Sequence, residues 1–260
     1  MNRLSFAMPP GVSARTTVCE ALFRQLLSAS RAFYLDADRP GEATVYLQST
    51  SGVLLPGDEA LLSISCATGA QARVVGATST VVHGGRDFAP AKQHVAITCA
   101  AHSTLVYSPS PIVVLGDATI ESSVSVDLVD DAVAIVVDGF YGHDRDDHIG
   151  PHRVVANSIE VRRDGKLLWL ERSHITHDTL VPQGLVAILG HANTALEAAL
   201  DAALNATKWP PDTHVGIGQL PNSAGLIARF TAAAPAALAL VDRVVGVASK
   251  TICSADGPLV

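Results

Sequence analysis

The chain has 260 residues, 48% of them hydrophobic, so it is long enough to bury a sizeable core as one large domain or two small ones. Its formal net charge of −7 argues against nucleic-acid binding, which needs a basic surface. The longest basic cluster is Arg162-Arg163 with Lys166 nearby, in a predicted strand and turn. No run approaches the roughly 20 apolar residues of a membrane-spanning helix. Composition therefore favours a globular protein that binds neither nucleic acid nor membrane.

The N-terminus and the cysteines bear on the cellular compartment. The opening MNRLSFAMPPG has one Arg and an interrupted apolar stretch, which makes a poor signal peptide. Cys19, Cys66, Cys99 and Cys253 are far apart and form no CxxC motif. These features predict a cytoplasmic protein with reduced, mostly buried thiols; two disulfides in a secreted protein are the alternative.

Short strands are predicted in succession from about residue 42 to 175. Apolar and polar residues alternate, or β-formers cluster, at 44–47, 60–66, 71–75, 78–82, 95–99 and 120–128. Residues 132–137 are continuously apolar, which is typical of a strand buried on both faces. Pro56-Gly57-Asp58 precedes one strand and predicts a β-turn rather than a phosphate-binding loop, because no Lys is near and no helix follows.

The clearest local prediction is a β-hairpin over residues 157–172. Asp164-Gly165 supplies the two positive-φ residues of a type I′ turn. The flanking strands should pair antiparallel, with Val161 and Leu168 available to the core.

The last third of the chain changes to helical periodicity. Residues 193–206 predict a helix, in which Leu196, Leu200 and Leu204 lie on one apolar stripe, and Pro210-Pro211 follows its end. A second helix is predicted over 234–249, with Pro235 in its first turn, and a strand over 226–230. The predicted fold class is mainly β, with many short strands in stacked or sandwich-like sheets and two α-helices in the C-terminal third.

One polar segment contains several potential metal ligands. Its imidazoles and carboxylates suit Zn²⁺ or Ni²⁺ and belong to His143, Asp144, Asp146, Asp147, His148 and His152. Gly142, Gly150 and Pro151 equally fit a solvated acidic loop between two strands, and the spacing matches no established metal motif.

The sequence contains no motif for a catalytic nucleophile, since the serine near residue 223 lacks the strand–elbow–helix context. Asp138 and Glu171 each end a strongly apolar stretch, AVAIVVD and KLLWLE. Each carboxylate could simply mark the point where a strand reaches water, or the two could line an internal cavity.

Seven segments, taken together and in chain order, are informative: SGVLLPGD, SCATGAQARV, TSTVVH, YSPSPIV, AIVVD, the hairpin at 157–172 and LPNSAGLIARF. This collinear set resembles the UreD (UreH) family of urease accessory proteins. The order holds from about residue 15 to 249. Val53 and Pro56 replace two family glycines, Val81 a lysine and His83 a tyrosine, so the chain resembles a divergent member.

The resemblance implies one domain over residues 1–260, with a β body at about 15–190 and a helix-containing part at about 191–250. It implies a non-catalytic role in which a scaffold joins a UreF-like protein and a UreG-like GTPase to apo-urease and assists nickel delivery. No cofactor would be tightly bound, although nickel could bind transiently. By position, Asp138 and Glu171 match acidic residues of a proposed metal passage, with Thr80 nearby.

The helical third bears on partner binding. The resemblance implies that the stripe of Leu196, Leu200 and Leu204, or part of the second helix, contacts a UreF-like protein. The alternative function is a stand-alone metal- or ligand-binding β protein, or a hydrolase, that shares only the fold and uses the loop at 143–152.

Overall fold

The computed structural model describes residues 1–9, 15–24, 26–85, 89–143, 153–177, 181–190 and 194–255. Mainly β, it has two α-helices, both in the C-terminal third, as the sequence predicts. The first nine strands are β1 (Asn2–Ala7), β2 (Thr17–Leu22), β3 (Leu27–Ala29), β4 (Ala43–Ser49), β5 (Val53–Leu54), β6 (Glu59–Cys66), β7 (Gln71–Gly76), β8 (Val81–Val82) and β9 (Ala91–Cys99).

The remaining elements include the long central strands and both helices. They are β10 (Thr104–Ser108), β11 (Ile112–Val114), β12 (Thr119–Leu128), β13 (Val133–Gly142), β14 (Arg153–Arg163), β15 (Lys166–His177), β16 (Gln183–Leu189), α1 (Thr194–Asn205), β17 (His214–Gln219), β18 (Gly225–Thr231) and α2 (Ala234–Ala255). A short 3₁₀ turn, Pro221–Ser223, precedes β18. No helix in the described ranges is long and apolar enough to cross a lipid bilayer.

The strands form two sheets. The first sheet has seven strands in the order β15-β14-β12-β9-β6-β1-β2. The second has the path β17-β18-β16-β13-β10-β7-β4-β3, from which the short strands β5, β8 and β11 branch. Strands also occur outside residues 15–190, because β1 joins the first sheet and β17 and β18 join the second.

The central part of the chain winds as a coil. Successive long strands alternate between the sheets, so β6, β9, β12 and β14 pair in parallel in the first sheet. In the second sheet β4, β7, β10 and β13 also pair in parallel. The short strands β5, β8 and β11 pair in parallel as well and lie between these two sets in each turn of the coil. Parallel pairing needs a crossover, and here the crossover is a strand of another sheet instead of a helix.

Three apolar clusters fill the molecule. The first lies between the two sheets and includes Val136 and Ile159. The second lies between the outer face of the second sheet and the helices, and includes Ile135 and Leu240. The third surrounds the short strands and includes Ile112.

The predicted hairpin is confirmed. Strands β14 and β15 pair antiparallel around Asp164 and Gly165, whose φ values are 49° and 76°. Val161 and Leu168 are both buried. The turn at Gly57 is also confirmed, because its φ is 84° and the Asp58 N–H donates to the Leu55 carbonyl. The strand predicted over 78–82 is reduced to Val81–Val82.

The leucine stripe of α1 belongs to the core, which corrects the expectation that these three side chains face a partner, whereas a partner contact of the second helix stays a prediction. Leu196, Leu200 and Leu204 are 0%, 1% and 6% exposed, in the cluster that α2 and the second sheet complete. Helix α2 runs to Ala255, beyond the predicted end at 249, and so supplies more of the surface that covers this stripe.

Candidate functional site

A row of polar side chains crosses the inner face of the first sheet. Gln93, Ser122, Asn157 and Ser173 are lateral neighbours on β9, β12, β14 and β15. Side chains two positions apart on a strand lie on the same face of the sheet. These four side chains therefore point inward, as do Val95 and Ile159, which lie two positions after Gln93 and Asn157. The row lies between the inter-sheet cluster and the cluster around the short strands. We call these four residues the polar row.

Asp138 faces the polar row from the second sheet. On β13 it follows Ala134 and Val136, which belong to the inter-sheet cluster, and precedes Phe140 of the third cluster. The side chain is 8% exposed, and the Asn157 side-chain amide donates a hydrogen bond of 2.5 Å to its Oδ2. The Oδ1 of Asn157 is buried and accepts no hydrogen bond from the part of the chain that the structure describes.

Asp138 lines three cavities in the described part of the chain, and two of them together contain the three residues predicted from the sequence. The larger, of about 560 Å³, is also lined by Glu171, Asn157 and Ser173. The smaller, of about 40 Å³, is lined by Thr80 and Gln93. The polar row and Asp138 therefore form a continuous polar lining between the sheets, from the β15 edge towards β3 and β4.

The electrostatics of Asp138 follow from its burial. Burial raises the pKa of this carboxyl to about 6, and the negative charge of Glu171 acts in the same direction. Hydrogen bonds from Asn157 and from the Gly139 backbone N–H oppose that rise. Burial and the charge of Asp138 likewise raise the pKa of Tyr107, which lines the smaller cavity. Asp138 thus loses its proton just below neutral pH, and only then can it attract a cation strongly.

Glu171 lies at the outer end of the larger cavity and pairs with Arg229 of the second sheet. The Arg229 Nη1 donates to the Glu171 Oε1 at 2.6 Å, and its Nη2 donates to Oε2, so the ion pair is bidentate. The Glu171 side chain is 22% exposed and that of Arg229 51%. His214 on the edge strand β17 lines the same cavity. Glu171 is therefore a lining residue whose charge is already compensated.

The predicted metal loop can be placed only at its start. His143 is exposed just after β13, and its backbone N–H donates to the Val114 carbonyl. Asp144, Asp146, Asp147, His148 and His152 lie outside the described residues. Within the described ranges, no group of three or more His, Cys, Asp or Glu side chains is arranged to hold a metal ion.

The cysteine prediction can be examined at three positions. Cys66 and Cys99 are buried free thiols and Cys19 is an exposed one. Burial raises the pKa of Cys66 to about 12 and that of Cys99 as well. Neither buried thiol is a nucleophile near neutral pH, because the thiolate is the reactive form.

Sequence reasoning missed two residues of this site. Asn157 begins the hairpin segment, but its contact with Asp138 joins two sheets and has no local signature. Arg229 gave a signal that could have been used: it is the charged residue within the apolar strand LIARF. A cation there needs a partner or solvent.

Comparisons with known proteins place this chain in a family. Residues 3–258 match the family model described as UreD urease accessory protein. The Urease accessory protein UreD 1 of Bradyrhizobium sp. strain BTAi1 is 33% identical over 219 residues, which cover 79% of this chain and 75% of that protein. UreD 1 of Methylorubrum extorquens strain PA1 is 31% identical over 234 residues, covering 84% of this chain and 77% of that protein.

Proposed function

Because the chain belongs to the UreD family of urease accessory proteins and so has a role in urease maturation, we propose that it is a cytoplasmic, non-catalytic scaffold. In this role it joins a UreF-like protein and a UreG-like GTPase to apo-urease. It also lets Ni²⁺ pass between its two sheets on the way to the urease active site. Nickel is here the cargo of the protein and not a resident cofactor.

The observation that supports a passage is the position of Asp138 in both the larger and the smaller cavity. One cavity contains Glu171 and the other Thr80, so a cation that moves between the β15 edge and the β3–β4 edge passes this carboxylate. Among the described residues, the lining supplies mainly oxygen ligands, namely carboxylates, hydroxyls and amide carbonyls, together with the imidazole of His214 and no thiol. Such oxygens bind Ni²⁺ more weakly than a closed His/Cys site, which suits transfer better than storage.

The experiment removes both carboxylates without changing size. In cells that express urease and its accessory proteins, the double variant Asp138→Asn, Glu171→Gln should reduce urease activity and the nickel content of purified urease. It should still co-purify with its partners, because neither side chain lies on the outer surface of the sheets. The matched control, Asp127→Asn, Glu160→Gln, removes two carboxylates from the outer face of the first sheet and should leave urease loaded. Full nickel loading by the cavity variant would contradict the passage and make the loop at 143–152 the next candidate.

A further inference from the structure

Arg229 reaches the same inter-sheet space as Asp138. On the second sheet Asp138, Leu185 and Arg229 are lateral neighbours on β13, β16 and β18. Neighbouring strands lie about 4.8 Å apart, so the backbones of Asp138 and Arg229 are separated by about 10 Å. The next lateral neighbour, Gly216, has no side chain, which leaves the guanidinium open to solvent on that side.

The guanidinium bridges the two sheets at the outer end of the larger cavity. Its two terminal nitrogens bind the two oxygens of Glu171, which comes from β15 of the first sheet. This hydrogen bonding and the charge of Glu171 raise the pKa of Arg229. Arginine in this forked geometry occupies both carboxylate oxygens at once, whereas a lysine ammonium would act as a point charge.

The charges of the cavity lining show what this arrangement does to a metal ion. Among the residues that the structure describes, the acidic groups of the lining are Asp138 and Glu171, and Arg229 is its one permanently charged cation. With Arg229 in place the lining has a net charge of about −1 once Asp138 is ionised, and without it about −2. A divalent ion at Glu171 would meet both the repulsion of the guanidinium and a carboxylate whose oxygens are already occupied.

We propose that Arg229 is a built-in competitor for Glu171, so that Ni²⁺ binds at this end of the cavity only by displacing the guanidinium. The competitor keeps the two carboxylates from becoming a storage site. It returns to Glu171 as the ion moves on, which favours release. The meaning of this exchange for urease rests on the proposed function, whereas the exchange itself is a property of this chain and Ni²⁺.

The test is a calorimetric titration of the full chain with NiCl₂ at about pH 7.5, where Asp138 is ionised. Arg229→Gln should bind Ni²⁺ about tenfold more tightly than the wild type, because repulsion and competition are both removed. Adding Glu171→Gln to this variant should abolish the gain. Arg162→Gln is the matched control, since Arg162 pairs with Glu160 on the outer face of the first sheet, and it should bind as the wild type does.

Two outcomes would overturn the proposal: an unchanged affinity in Arg229→Gln, or a gain that survives loss of Glu171. If Arg229→Gln fails to fold by circular dichroism, Arg229→Lys replaces it. That variant keeps the charge but loses the fork, so it should show a smaller gain in the same direction, and no gain would contradict competition. A different result would contradict the proposed function. Tighter binding in Arg229→Gln with normal urease loading in the Asp138, Glu171 variant would uphold the competitor and reject the passage.

Discussion

The two faces of the second sheet are built from the same strands, but their side chains differ in kind and in role. On β13 the residues Val133, Ile135 and Val137 point outward into the cluster that α1 and α2 cover, and all three are apolar. The first two inward residues of β13, Ala134 and Val136, are also apolar and buried, but the next inward residue is Asp138. A buried carboxylate lowers the stability of the folded state unless it is well paired. The outward residues of β13 are therefore explained by stability alone, while its inward residues include one that function has to explain.

The largest expected effect is on the outer face. Leu200 is 1% exposed, so Leu200→Asp would bury an unpaired charge and leave a cavity. A leucine-to-alanine change at such a site costs about 2 to 5 kcal/mol, and the aspartate should cost more. Urea denaturation, or the fraction of the chain recovered in soluble form, measures this effect.

Leu238→Asp is the control on the same helical layer. Leu238 lies on α2 and is 52% exposed, so this change should alter the free energy of unfolding by less than about 1 kcal/mol. If Leu200→Asp folds normally and loses only a partner, then α1 is an interaction surface and the contrast between the two faces is wrong.

An intermediate effect is expected at Asp138 as a function of pH. Its pKa in the folded chain is about 6, against 3.8 as the ordinary value, so the folded state retains a proton that the unfolded state releases between these values. Stability from this group is therefore fully present below about pH 4 and is lost as the pH rises through about 6. The loss amounts to about 3 kcal/mol at most.

Asp138→Asn removes this titration and keeps the hydrogen-bonding shape. The difference in unfolding free energy between the variant and the wild type should grow in favour of the variant from about pH 4 to pH 7. Urea denaturation at a series of pH values measures that difference. A difference independent of pH would mean that Asp138 is solvated, and the polar lining would then lose its central residue.

The sequence predicts local structure far better than it predicts connectivity. The hairpin at Asp164-Gly165, the long strands and both helices follow from turn chemistry and periodicity, which depend on neighbouring residues. The parallel coil could not be predicted in this way, because the period of a strand does not say whether the next strand joins the same sheet. The short strand Val53–Leu54 has too few residues to show any period.

The same distinction holds at the site. Asp138 and Glu171 could be selected because a carboxylate after an apolar run is a local anomaly. The polar row has no such signal, since Ser122 in the strand TIESSVSVDL looks like any polar residue of an alternating strand. Only the register of four strands places it beside Gln93 and Asn157. The burial of the α1 leucines could not be predicted locally either, because α2, a distant segment of the chain, covers them.

The smallest expected effect on stability comes from changing the polar row of the first sheet, which faces Asp138 across the inter-sheet space, to an apolar side chain like those on the outer face of β13. Gln93→Leu places an apolar side chain of similar length in the polar row, beside the smaller cavity. Because the neighbouring inward residues Ala91 and Val95 are already buried and apolar, the free energy of unfolding should change by less than about 1 kcal/mol. Under the proposed passage, urease activation should nevertheless fall, since the route of the cation loses an oxygen ligand and gains a hydrocarbon side chain. Thr98→Val, a change of similar shape on the exposed face of the same strand, should leave both stability and activation unchanged.

The comparison is made by urea denaturation and by the nickel content of urease purified from the same cells. Normal nickel loading with Gln93→Leu would confine any metal route to the larger cavity, whereas loss of loading at unchanged stability would extend the route along the polar row to the smaller one.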